Sequence, residues 1–184
     1  MKIRIAALLG SALVTLVALA ATQWKTDPAQ STLKFSGVQA GAPFEGAFQK
    51  FSANIQFDPQ DVATSRFDVT VDLKSANSKD KDRDETLQGP DFFDVKRWPT
   101  GHYLADKFTD KGGGKFTASG KLTLRDVTKD VPIEFTFQPD AAGGLLKGTA
   151  QLKRLDFGIG QGEWKDTSWV GNDVKIQFQL RLQK

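Results

Sequence analysis

The sequence predicts an all-β protein whose strands pair antiparallel in a barrel or a sandwich. Three observations support this fold class. Apolar and polar residues alternate strictly in several segments, which is typical of strands with one buried and one wet face. Turn-forming residues separate these segments. About eight such strands fit into one domain of this length. We favour the barrel because closure removes the exposed edges of a sheet.

The strands are predicted in chain order from this alternation. Four segments alternate clearly, namely 51–57, 66–74, 131–138 and 174–183. Weaker strands are predicted between them, at 32–39, 102–109, 115–125 and 145–155. One short helix is predicted within 78–88. Turn residues such as Asp58-Pro59 and the three glycines from Gly112 separate these elements.

The N-terminus has the pattern of a secretory signal peptide. Lys2 and Arg4 precede an apolar stretch that ends in small residues at Ala18 and Ala20. A retained membrane anchor is the alternative, but the alanine-rich end favours cleavage, so we predict a signal peptide over residues 1–20 and one domain over 21–184. Removing residues 1–20 leaves 23 basic and 22 acidic residues, so the formal net charge falls from +3 to +1. After Ala21 no apolar run approaches the length of a membrane span.

Composition excludes several classes of function. The 184 residues contain no cysteine, one histidine (His102) and one methionine. Thiol nucleophiles, disulfides, iron–sulfur clusters and cysteine zinc sites are therefore excluded, and His102 is expected to be structural. Nucleic acid is not expected as a partner, because a charge of +1 with interspersed signs forms no basic stripe. A secreted protein without cysteine fits the bacterial periplasm.

The aromatic residues suggest an apolar interior. The chain has fourteen Phe and four Trp but one Tyr. Small residues such as Ala118 and Gly120 share strand faces with these large ones. Mixed sizes on an inner face fill a tapering barrel or leave a cavity, and the pattern does not distinguish the two.

Several motifs resemble one known family. In order, they are RDETL at 83–87, DFFDVKRWP at 91–99, GKLTLRDVTK at 120–129 and RLDFG at 154–158. Their order and spacing resemble the YceI-like family of secreted polyisoprenoid-binding proteins, over nearly the whole predicted domain. The segments FEGAF at 44–48 and GEWKDT at 162–167 are similar to the branch often encoded beside b-type cytochromes of the cytochrome b561 type.

The resemblance implies a fold, a ligand and a partner. The fold is a lipocalin-like, eight-stranded antiparallel barrel with an elongated apolar tunnel and a short helix between strands. The ligand is an isoprenoid chain, such as a polyprenyl phosphate or a ubiquinone-type quinone, and no cofactor is implied. A membrane b-type cytochrome is the implied partner, and a homodimer is left open. The sequence departs from many relatives at Gln39, where they have histidine, so no role of that histidine is transferred.

Candidate ligand-contacting residues follow from the inward faces and the motifs. The proposed apolar lining consists of Phe35, Phe67, Val69, Val71, Leu122, Leu124, Ile133, Phe135, Ile176 and Phe178. Phe92, Phe93 and Trp98 either join this lining or close one end of the barrel. Trp164 and Trp169 lie in a glycine-rich stretch and are candidates for the tunnel mouth or for a loop cluster.

Three charged residues are also candidates. Arg154 and Asp156 are two residues apart, so on a regular strand they face the same side and form either a buried ion pair near a head group or a structural pair. Arg83 lies in a highly charged run and is expected on a solvated helix, with contact to a phosphate or to the end of the barrel as the alternative.

The sequence therefore predicts a non-enzymatic periplasmic protein that binds or transports an isoprenoid lipid. The alternative is a stress-related structural or interaction module with incidental lipid binding. An enzyme is not expected, because no cysteine and one histidine leave no convincing nucleophile–base arrangement.

Overall fold

The computed structural model describes residues 21–184, so the predicted signal peptide lies outside the described residues. Within this range the chain forms ten strands and one α-helix. The strands are β1 (Gln23–Gln39), β2 (Ala42–Phe48), β3 (Phe51–Gln56), β4 (Arg66–Asp72), β5 (Ala76–Asn77), β6 (Thr100–Gly112), β7 (Lys115–Leu124), β8 (Val127–Asp140), β9 (Gly143–Lys153) and β10 (Asp173–Gln183), and the helix is α1 (Lys81–Gln88). No helix among residues 21–184 is long and apolar enough to cross a membrane.

The sheet closes into an eight-stranded antiparallel barrel. β1 pairs with β10 along one edge, while its other edge pairs with β3 near its start and with β2 near its end. β2 and β3 therefore act as one strand interrupted at Gln49 and Lys50. The remaining order is β4, β6, β7, β8, β9 and β10, and β5 adds a short pairing to β2. The predicted eight-stranded, lipocalin-like barrel with one short helix is confirmed.

The first two strands differ from the prediction. β1 begins at Gln23 rather than near Thr32, because a bulge between Asp27 and Thr32 breaks the alternation without breaking the pairing. β2 was not predicted, since its Pro43 and Gly46 are poor strand residues. Glycine fits at position 46 because the ring of Phe35 on β1 occupies the space that a side chain of residue 46 would need.

Helix α1 lies within the predicted range 78–88, and its N-terminus is fixed by side chains. The Asp80 carboxylate accepts a hydrogen bond from the Arg83 amide, which makes Asp80 the N-cap. Residue Ser78 lies before this cap and is bonded to the Asp84 carboxylate, so it belongs to the preceding turn.

Aromatic side chains fill the half of the barrel where β1 begins and β10 ends. Phe57 lies at the centre with no exposed surface. Its ring centroid is 5.0 Å from that of Phe116 and 5.3 Å from those of Phe135 and Phe137. We call this cluster the aromatic plug; it consists of Trp24, Phe57, Phe67, Phe108, Phe116, Phe135 and Phe137.

The other half of the barrel is hollow. On β10 the inward-facing Leu180 and Leu182 are buried, but Ile176 and Phe178 are only half-buried. Burial also falls along β4, where Phe67 is buried but the inward-facing Val69 and Val71 are only half-buried. Inward residues remain partly accessible where no side chain packs against them, so the interior opens toward α1. The elongated tunnel implied by the resemblance is therefore occupied over half of its length.

One hydrogen-bonded pair of side chains on the outer face of the barrel gives a pH-dependent prediction. His102 Nε2 lies 2.8 Å from Asp68 Oδ1, and this hydrogen bond holds the pKa of Asp68 below its ordinary value of 3.8. A lowered pKa means that the carboxylate stabilises the fold above pH 3.8, and that the contribution is lost as pH falls through the lower folded value. We expect Asp68→Asn to lower the free energy of unfolding at pH 7 by less than about 1 kcal/mol, because both side chains are partly exposed.

Urea unfolding of both proteins between pH 2 and pH 7 measures this difference, which should shrink in acid. Asp106→Asn, at an exposed position on β6, is the control and should show no such trend. A difference that stays constant over this range would rule out the carboxylate of Asp68 as its source.

Candidate ligand-binding cavity

The hollow half of the barrel forms a cavity of about 210 Å³ with an almost wholly apolar wall. Its volume exceeds that of the ~150 Å³ engineered apolar cavities that stay dry and bind small hydrocarbons. Of the polar side chains that line it, Tyr103 donates its hydroxyl hydrogen to the Val131 carbonyl at 3.1 Å. Burial raises the pKa of Tyr103, so its hydroxyl stays neutral.

The structure places most of the predicted lining on this wall. The predicted residues that line the cavity are Phe35, Phe67, Val69, Val71, Phe92, Phe93, Leu122, Leu124, Ile133, Arg154, Ile176 and Phe178. The strand residues among them occupy inward positions, and strand alternation identified those positions from the sequence. Contact of these residues with a ligand remains a prediction.

Two segments cover the open end of the barrel. The first, residues 78–98, contains α1 and brings Leu87, Phe92 and Phe93 to the cavity. The second, residues 154–172, joins β9 to β10 and brings Phe157 and Ile159. We call these two segments together the cover.

The two segments of the cover are bonded to each other. The Asp91 carbonyl accepts the amides of Gly160 and Gln161 at 2.7 and 2.9 Å. The rings of Phe92 and Trp164 meet edge to face at 5.4 Å. Both contacts join residues far apart in sequence, so the cover is one packed layer.

Arg125 connects both segments of the cover to the barrel. Arg125 Nη1, from the turn between β7 and β8, donates to the carbonyls of Phe92 at 2.7 Å and of Pro90 and Gly158 at 3.1 Å. Its acceptors belong to both segments of the cover. The Arg125 guanidinium also lies over the ring of Trp98, 4.8 Å from its centroid.

Arg154 holds the second segment of the cover. Its side chain is buried, with 4% of the residue exposed, and it lines the cavity. The guanidinium donates to four backbone carbonyls at 2.6 to 3.0 Å, those of Ile159, Trp164, Val170 and Gly171. Burial lowers the pKa of Arg154 from its ordinary value of 12.5, yet the group stays protonated at physiological pH. The carbonyl oxygens therefore solvate a buried cation in place of water.

The predicted pairing of Arg154 with Asp156 is wrong. Residues Arg154–Phe157 form a 3-10 turn rather than the end of a strand, so the two side chains do not share a face. Arg154 turns inward to the carbonyls, whereas Asp156 is exposed. The prediction failed because it assumed strand geometry beyond Lys153.

Four other predicted site residues lie off the cavity wall. Phe135 is buried in the aromatic plug, where its ring stacks on Phe116 at 5.4 Å. Trp98 lies on the outer side of the cover between Arg97 and Arg125. Trp164 packs behind Phe92, and Trp169 is 55% exposed. Phe92 and Phe93 lie in the cover, at the end of the barrel that they were proposed to close.

The cavity reaches the surface beside the end of β1. Val38 lines the cavity and is 44% exposed, and from this we infer that the mouth lies here. Arg83 lies over the ring of Phe44 here, 4.5 Å from its centroid, and its Nε donates to Gln39 Oε1 at 2.7 Å. Gln39 therefore helps to fix Arg83 at the mouth, and Arg83 also pairs with Asp80.

Sequence reasoning missed several lining residues. Leu33 and Val174 extend the alternation of Phe35 and Ile176 and could have been found by that signal. Phe157 and Ile159 lie in an irregular segment and have no periodicity, so no comparable signal pointed to them.

Gly160 gives a prediction about the cover. Its φ of +91° suits glycine, and a Cβ at this position would overlap the Arg154 guanidinium. We expect Gly160→Ala to displace Arg154 and to lower the free energy of unfolding by about 2 kcal/mol. Gly162→Ala is the control, because it also has positive φ but no atom within 4 Å of the added carbon. Equal losses in urea unfolding of both variants would show that backbone strain alone is responsible.

The geometry defines a lipocalin-like barrel with one covered, apolar internal cavity. The model of the YceI-like domain matches residues 24–182. The chain therefore belongs to the YceI-like family.

Relatives and solved structures agree with this assignment. A UPF0312 protein of Vibrio parahaemolyticus is 34% identical over 165 residues, which cover 86% of this chain and 83% of that protein. The crystal structure of Burkholderia cenocepacia BcnA superposes with a TM-score of 0.83 at 34% identity, covering 87% of this chain and 100% of the other. A polyisoprenoid-binding domain from Saccharophagus degradans shares the fold, with a TM-score of 0.69 at 14% identity over 87% of this chain and 97% of its own.

Proposed function

We propose that the protein binds one isoprenoid lipid in the covered cavity and catalyses no reaction on it. The observation that supports this proposal is the wall: apolar side chains from the strands and the cover surround the internal space. Such a site favours a ligand with a long apolar body and few hydrogen-bonding groups. The polyisoprenoid-binding domain among the structural relatives supports the choice of chain.

Binding is driven by removal of the chain from water. Burial of apolar surface contributes about 25 cal/mol per Å², from which the cost of ordering the chain and of association must be subtracted. The branched methyl groups of an isoprenoid fill width that a straight alkyl chain leaves empty, and empty space forfeits dispersion contacts. The cavity should therefore prefer a prenyl chain to a straight chain of similar carbon number.

We further propose a setting for this binding. The predicted signal peptide would export the chain to the periplasm, where the barrel would carry a polyprenyl lipid or a ubiquinone-type quinone. The segments at 44–48 and 162–167 of this chain resemble the branch of the YceI-like family that is associated with cytochrome b561. This resemblance suggests that the protein delivers quinone to a membrane b-type cytochrome. Light scattering would distinguish a monomer from the homodimer that the resemblance leaves open.

Transfer from vesicles tests the binding proposal. Delipidated protein is incubated with phospholipid vesicles that contain ubiquinone or a prenyl phosphate, separated, and examined by native mass spectrometry. We expect a complex of one isoprenoid per chain, and less uptake of a straight-chain alcohol of equal carbon number. Protein that takes up neither isoprenoid would contradict the proposal.

The alternative function, an interaction module with incidental lipid binding, predicts a different genetic result. A variant whose cavity is filled would then complement a deletion strain as well as the unchanged chain does. We expect loss of complementation, because the proposed function requires the cavity.

A further inference from the structure

The floor of the cavity is one face of the aromatic plug. Phe67 from β4 and Leu146 from β9 line the cavity at its deep end and are buried. Directly beneath, the ring of Phe67 lies 4.8 Å from Phe108 and 5.1 Å from Phe135. Both contacts are normal for packed aromatic rings, so they leave no passage for a chain.

The rest of the plug closes the far end of the barrel. Phe137 is buried below Phe57, and its ring lies 5.4 Å from Trp24. The indole of Trp24 donates to the Phe57 carbonyl at 2.8 Å, which fixes the lowest layer. A ligand therefore enters and leaves at the mouth beside Val38.

The arginine side chains beside the cavity lie at the covered end. Arg154 and the Arg83–Gln39 pair are part of the cover or the mouth. Near the floor, the Tyr103 hydroxyl already donates to a backbone carbonyl. A polar head group loses least hydration at the covered end, so the apolar tail points toward Phe67.

The depth of the cavity can be compared with the length of the tail. On β10 the lining extends from Val174 to Leu180. With a rise of about 3.3 Å per residue and a strand tilt of about 40°, this stretch spans roughly 15 Å along the barrel axis. An extended isoprene unit advances about 5 Å over its four bonds, by analogy with the extended peptide chain.

We propose that Phe67, supported by the plug beneath it, limits the length of prenyl chain that the barrel holds to three or four isoprene units. This inference rests on the proposed function and adds to it a residue that determines specificity. Units beyond the fourth have no space above the floor and remain at the mouth. Longer chains therefore bind with the affinity of their first units.

Binding of a homologous series to the wild-type protein tests this limit. Prenols with two, three, four and nine isoprene units compete with a dansyl-labelled farnesyl probe in dilute detergent. We expect affinity to rise at least tenfold from two units to three, and to change less than threefold from four to nine. Absence of any prenol binding would instead overturn the proposed function, so the two failures are distinguishable.

Substitutions at the floor should move the limit in both directions. Phe67→Ala opens space toward the plug, and we expect the plateau to move up by at least one unit. Leu146→Phe raises the floor, and we expect the plateau to move down by one unit. Phe137→Ala is the control, because it removes a buried plug ring that does not line the cavity; its plateau should match wild type.

Affinity that continues to rise by tenfold per unit from four units to nine in the wild-type protein would overturn the inference. A plateau that stays in place in both floor variants would overturn it as well. Thermal unfolding of each variant identifies a protein that is not folded. Because the two floor variants act in opposite directions, one folded variant suffices for the comparison.

Discussion

Ile176→Trp should weaken prenyl-chain binding by at least a hundredfold, about 2.7 kcal/mol. Ile176 faces inward on β10 between Ala150 of β9 and Phe35 of β1, and it is only half-buried because it borders the cavity. An indole at this position would occupy the space of the ligand. The fold should tolerate it, because filling an existing void adds contacts without displacing packed side chains.

The adjacent outward position supplies a matched control. Gln177→Trp introduces the same side chain on the same strand, but on the outer face of the barrel. Competition binding with the labelled farnesyl probe, together with thermal unfolding, should show loss of affinity in Ile176→Trp alone and no loss of stability in it. Equal affinities of Ile176→Trp and wild type would place the ligand elsewhere.

Arg154→Met should destabilise the protein by about 3 kcal/mol, because each orphaned carbonyl that stays buried costs roughly 1–3 kcal/mol. The methionine side chain replaces much of the apolar stem but donates no hydrogen bond. The carbonyls of Ile159, Trp164, Val170 and Gly171 would then have to reach water. The segment 154–172 should therefore open, while the strands of the barrel remain paired.

Urea unfolding measures the loss of stability, and hydrogen exchange measures its location. We expect faster exchange of amides in residues 158–171 and little change in β7 or β8. Arg97→Met is the control, because its side chain is largely exposed and pairs weakly with Asp94; it should cost less than about 1 kcal/mol. If Arg154→Met unfolds no more easily than Arg97→Met, the four carbonyl contacts do not hold the cover.

Strand alternation predicted an antiparallel all-β fold and most of the wall, whereas the eight-stranded barrel was implied by the resemblance to the YceI-like family. The inward positions of β4 and β10 followed from a period of two, so Phe67, Val69 and Ile176 were identified without any knowledge of the neighbouring strands. Alternation does not report packing density. Phe67 and Phe135 have the same pattern, yet the first lies on the cavity wall and the second lies inside the plug.

The cover could not be predicted because its contacts are irregular and distant in sequence. Arg154 was expected to pair with a carboxylate, but backbone carbonyls of a loop that follows it in the chain solvate it instead. Trp164 and Trp169 were candidates for the tunnel mouth or for a loop cluster; Trp164 packs behind Phe92, and Trp169 is exposed. Loop conformation decided each case, and residue spacing carries little information about loops.

Native mass spectrometry of the protein isolated from its own host can identify the ligand that the cavity holds. We expect one bound lipid per chain whose fragments differ by isoprene units. An empty protein that also takes up no prenol, or a stoichiometric straight-chain lipid in place of the isoprenoid, would contradict the proposed function.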